Sequence, residues 1–120
     1  MAHFLIHVTH GPEHPTRAAL GFLVARAAVD EGHDVSMFLA GDAVQLVRTP
    51  VLDGLIGLGT GQLRESFDAM MDGGGKLYLS GMSSKARGVG EAELQGGSAQ
   101  FATPADLLKL SLEAERVLTY

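Results

Sequence analysis

Phe4-Leu5-Ile6-His7-Val8-Thr9 runs directly into His10-Gly11-Pro12, and the reading of the whole chain turns on this stretch. A short, mostly apolar run closed by a Gly-Pro turn signal reads as a buried strand. Pro12 and Pro15 interrupt regular structure after it. From Thr16 to Asp30 the chain is rich in Ala, Leu, Val and Phe, which predicts a helix with Thr16 as N-cap and Gly32 beyond its end. Leu20, Leu23, Val24 and Ala27 form one apolar stripe on that helix, and Phe22, Ala25 and Val29 form a second. Two apolar sides call for two covers, one a sheet and the other a further element or another subunit.

The strand–helix pattern repeats outward from there. Val35 to Ala40 is a second strand, ending at Gly41-Asp42. Ala43 to Arg48 fits a short helix, and Pro50 to Gly61 reads as a loop carrying Leu52, Leu55, Ile56 and Leu58. Apolar side chains on such a loop are expected to dock, a neighbouring subunit being one partner. Gln62 to Asp72 is an amphipathic helix with Leu63, Phe67, Met70 and Met71 along one side. Ser66, between them, reads as an exposed position. Lys76 to Leu79 is the third strand, and Ser80 to Gly90 a turn with a helical piece, Ser83 or Ser84 its N-cap. Ser98 to Ala102 is extended. Thr103-Pro104-Ala105-Asp106 starts a helix with an N-cap, Pro at N1 and an acid at N3. Val117 to Tyr120 is the fifth strand. Alternating strands and helices imply a single α/β domain over residues 1–120: a five-stranded parallel sheet with helices on both faces, with a flavodoxin-like order such as 2-1-3-4-5.

Composition narrows the function classes. The chain has 120 residues, 46% hydrophobic and 19% charged, the balance of one globular domain. A formal net charge of −5 with no basic run disfavours nucleic acid and membrane surfaces as partners. The N-terminus has neither the cationic nor the long apolar region of a signal peptide, so a cytoplasmic protein is expected. With no cysteine, the chain has no disulfide, no thiolate metal site and no thiol nucleophile.

In an open parallel sheet, ligands sit beyond the carboxyl ends of the strands. That rule gathers His10, Glu13, His14 and Arg17 after the first strand, Gly41 and Asp42 after the second, and Ser80, Ser83, Ser84 and Lys85 after the third, with Arg87 close behind. Of these, seven are the candidate ligand-binding residues: His10, His14, Arg17, Asp42, Ser80, Ser83 and Arg87. His10, His14 and Asp42 have donors that suit zinc or iron, but Pro12 and Pro15 break the helix that a His-x-x-x-His pair needs, so no metal is expected. No cofactor is expected either. Ser80 follows a strand as a nucleophile would, yet Tyr78-Leu79-Ser80-Gly81-Met82 is not the esterase elbow. A small anion at the helix start beside Lys85 and Arg87 is the better fit. Gly57-Leu58-Gly59-Thr60-Gly61 has neither the spacing nor the preceding strand of a dinucleotide loop. His3 and His7 share one strand face and read as satisfied or half-exposed residues.

Three segments carry a resemblance: Thr9-His10-Gly11-Pro12-Glu13-His14-Pro15-Thr16-Arg17-Ala18, then Gly32-His33-Asp34-Val35-Ser36-Met37-Phe38-Leu39-Ala40-Gly41-Asp42-Ala43-Val44, then Lys85-Ala86-Arg87-Gly88. With them the chain resembles the DsrE/DsrF-like family of small sulfur-relay proteins, which includes the TusD and YchN types. The resemblance implies a five-stranded parallel sheet and a homotrimer or hexamer. It also implies a persulfide-carrying cysteine at the position held here by Ser80, with a second near Ser83 in some relatives. Serine cannot carry sulfane sulfur, because the nucleophile in sulfur transfer is a thiolate. What the resemblance implies is therefore a non-catalytic subunit that binds a small ligand, an anion or a sulfur-relay protein partner. The alternative is an enzyme using a His/Asp/Ser site at the strand ends.

Overall fold

A computed structural model describes all residues, Met1–Tyr120. The chain runs β1 (His3–Val8), α1 (Pro15–Asp30), β2 (Asp34–Leu39), a 3-10 helix (Gly41–Val47) and α2 (Thr49–Gly54). A two-stranded hairpin, β3 (Ile56–Gly57) with β4 (Gly61–Gln62), leads into α3 (Leu63–Asp72). Then come β5 (Lys76–Ser80), α4 (Gly81–Arg87), a 3-10 turn (Glu91–Glu93), β6 (Ala99–Ala102), α5 (Pro104–Glu113) and β7 (Arg116–Thr119). No helix is long and apolar enough to cross a membrane.

The five main strands pair in parallel, in the spatial order β6-β5-β2-β1-β7. The parallel sheet with helices on both faces is as expected, but the order is not 2-1-3-4-5. Counting only these five in chain order, it is 4-3-2-1-5. The first three crossovers all step in one direction, and right-handed crossovers stepping one way place their helices on one face. Only the return from β6 to β7 reverses, so α5 stands alone on the other face. β2 thereby becomes the central strand, and Val35 to Leu39 are five consecutive buried residues.

The pleat sorts the side chains. Ile6, Val8, Met37, Leu39, Leu77 and Leu79 pack with Phe22 of α1 and with Phe67 and Met70 of α3 in the larger core. Leu5, Phe38 and Ala102 form the smaller core under Leu107, Leu110 and Ala114.

Local signals were obeyed unevenly. The start of α5 forms the expected capping box, Thr103 accepting from the Asp106 N–H while the Asp106 carboxylate accepts from Thr103. Those hydrogen bonds lower the Asp106 pKa from its ordinary 3.8. Thr16 is not the N-cap of α1. His14 holds that position without a side-chain bond, and the Thr16 hydroxyl accepts from the Leu58 N–H at 3.0 Å. The stretch from Pro50 to Gly61 is not a loop: α2 and the hairpin occupy it, burying Leu52 and Leu55 within this chain. Leu58 at its tip remains 92% exposed, and Leu20 on the first stripe of α1 remains 41% exposed. Ser66 is not exposed but 3% accessible, on the side of α3 that meets the core.

Candidate functional site

The order of the strands decides which loops meet. β2 lies between β1 and β5, so the loop after β2 is the hub, and Gly41 and Asp42 touch both neighbours. On one side Gly11, from the loop after β1, packs onto the Asp42 backbone. A methyl group there would sit 2.1 Å from the Asp42 carbonyl oxygen, which only glycine avoids. On the other side the Gly41 N–H donates to Ser83 Oγ at 2.8 Å, and Arg87 Nε donates to Asp42 Oδ1 at 3.0 Å. Gly41 reaches this geometry at φ 58°, a left-handed conformation that suits glycine.

Ser80 ends β5 and is itself the N-cap of α4, its Oγ accepting from the Ser83 N–H at 3.2 Å. Neither Ser83 nor Ser84 has that role. Ser83 receives Gly41, and Ser84 is buried with an unpartnered hydroxyl. Arg87 also reaches back to the Ser83 carbonyl at 3.2 Å. Lys85 and Arg87 therefore lie in the last turn of α4, not flanking its start, and Arg87 is already committed to Asp42 and Ser83.

The structure thus links Asp42, Ser80, Ser83 and Arg87 in one hydrogen-bonded chain. His10 and His14 form a separate pair with edge-on rings, centroids 4.9 Å apart. Arg17 is exposed on α1 and takes part in none of these bonds. No histidine bonds Ser80, and Asp42 serves Arg87 rather than an imidazole, so no nucleophile–base pair is assembled among these seven residues. No group of three His, Asp or Glu side chains converges as a metal-binding set. The four principal cavities of the chain are not lined by any of the seven candidates.

Two contributors were missed in the sequence, Gly11 and Arg48. Gly11 and Gly41 set the approach of the loops. Arg48 anchors the far end of α4, with NH2 on the Arg87 carbonyl at 2.7 Å and Nε on Glu93 at 2.9 Å. The Gly11-Pro12 and Gly41-Asp42 turns were visible, but a close approach between two loops leaves no local pattern. Arg48, at the boundary of two short helices, carried no signal.

An α/β domain whose polar groups gather where parallel strands end is the class this geometry defines. Residues 2–120 match the DsrE/DsrF-like family, and the chain belongs to it. Among solved structures, it is similar to the ychN protein from E. coli, at 20% identity and a TM-score of 0.81, covering 100% of both chains. It is also similar to a conserved protein of unknown function, BT1422 from Bacteroides thetaiotaomicron, at 12% identity and a TM-score of 0.66, covering 97% of this chain and 94% of that one. Both likenesses concern the fold. No curated protein matches the chain.

Proposed function

We propose that this chain is a cytoplasmic, cysteine-free DsrE-like subunit that assembles with copies of itself and acts by binding. The polar surface where its strands end takes a small ligand, an anion or a protein partner of a sulfur-relay assembly, and the chain carries no sulfane sulfur itself. The observation that carries this reading is the state of Ser80. At the position where the family resemblance expects the sulfur-carrying cysteine, the side chain is a hydroxyl engaged in capping α4. A serine hydroxyl is far from ionised at neutral pH and has no neighbouring base here to activate it. The two-sided first helix and the exposed Leu58 support the oligomer. Incubation of the wild-type chain with a labelled persulfide donor, followed by desalting under non-reducing conditions, tests the reading. Protein free of label is expected; stoichiometric label overturns it.

A further inference from the structure

A polar cavity of about 290 Å³ opens at the opposite ends of the strands, beneath α5. Its floor comes from three adjacent strands. Ser36 and Lys76 are register partners on β2 and β5, and His3 sits beside them on β1. The His3 ring lies 3.2 Å from the buried Ser36 hydroxyl, which fixes the imidazole against the floor. Tyr78 stands one pleat further along β5, Asp34 is at the rim, and Glu113 of α5 lines the roof.

Lys76, Asp34 and Glu113 take part in none of the ion pairs of the chain. The Tyr78 hydroxyl likewise makes no hydrogen bond within it. One cation and two anions thus line a single concavity without neutralising one another, beside an aromatic wall. The volume is at the small end of ligand sites. We propose that this cavity binds a basic amino acid, a molecule with one carboxylate and two cationic groups. Its carboxylate meets Lys76 and the Tyr78 hydroxyl, and its two cations meet Asp34 and Glu113. The ligand's charges are the mirror of the pocket's, which is the complementarity that selects a partner. This site is independent of the residues beyond the carboxyl ends of the strands and of Ser80.

The test is a titration of the wild-type protein with L-arginine, followed by NMR at His3 and Tyr78 and by calorimetry. L-Glutamate and agmatine, the decarboxylated analogue of arginine, serve as comparison ligands. Saturable shifts with L-arginine in the millimolar range or below, and none with L-glutamate, are expected. Glu113→Gln should weaken L-arginine about fivefold, the scale of one part-exposed charge pair. Lys76→Gln should bring L-arginine down to the affinity of agmatine. Both side chains are exposed, so these variants retain the fold, which circular dichroism checks. Absence of saturation with L-arginine, equal binding of L-glutamate, or affinities indifferent to both substitutions each overturn the proposal.

Discussion

Arg87, in the last turn of α4, holds Asp42, just beyond β2, with Nε donating to Oδ1 at 3.0 Å, 45 residues apart in the chain. The same guanidinium holds the Ser83 carbonyl, and Ser83 holds the Gly41 N–H. One side chain therefore positions the loop after β2 against the start of α4. The pair is partly exposed, so solvent screening reduces its contribution. Arg87→Met is expected to lower stability by about 1 kcal/mol, mostly through the hydrogen bonds it abandons. Urea unfolding of Arg87→Met, Asp42→Asn and the double variant measures this. Additive losses in that cycle would mean that the two side chains do not cooperate.

Gly11→Ala should cost more, about 1–3 kcal/mol, because the added methyl drives into the Asp42 backbone rather than into a yielding side chain. Gly54→Ala provides the contrast. A methyl group there meets nothing within 4 Å, and the residue lies in α2, so a gain of about 0.5 kcal/mol is expected. Denaturation midpoints of the two variants should move in opposite directions.

His7 gives the fold a pH dependence of known sign. Its ring packs edge-on against Phe38, centroids 5.8 Å apart, and Nε2 is buried without a partner. Burial disfavours the imidazolium, so the folded pKa lies below the ordinary 6.5. Between those two values the unfolded chain binds more protons, and stability rises with pH. The contribution is therefore complete above about pH 6.5 and is lost progressively as pH falls through the folded value. His7→Leu should remove that slope and hold or raise stability at pH 8, since it deletes an unsatisfied buried nitrogen. Unfolding curves from pH 8 to pH 5 for both proteins check this; parallel curves would remove His7 as the cause.

Ser80→Cys should place a thiol against the first N–H groups of α4, where the thiolate is favoured. Its alkylation near neutral pH is expected to be faster than that of Ala27→Cys, at an exposed position of α1. An equal or slower rate at position 80 would leave the family's cysteine position without a reactive environment in this chain.

The wild-type protein should sediment as a trimer or hexamer, not as a 12.6 kDa monomer. Leu20→Asp and Leu58→Asp place charge on apolar side chains that the chain itself leaves open, and each should shift the distribution toward monomer while retaining the circular dichroism spectrum. A monomeric wild type at micromolar concentration ends this expectation.

The apolar run from Phe4 to Val8, the period of Leu63, Phe67 and Met70, and the Thr103-Pro104-Asp106 start of α5 were legible because each signal lies within a few residues of the group it organises. The absence of cysteine was equally plain, and it alone removed thiol chemistry. Of the site, the sequence identified which loops carry polar groups. Tertiary structure decided the rest. Crossovers of similar length can land on either side of a strand, so nothing local placed β7 beside β1 or made β2 the central strand. That order brought Gly11 onto Asp42 and Arg87 onto Asp42, left the His10–His14 pair outside the Arg87 network, and set Lys76 and His3 around Ser36. Contacts between residues far apart in the chain depend on which strands become neighbours, and the pattern of any one segment does not carry that information.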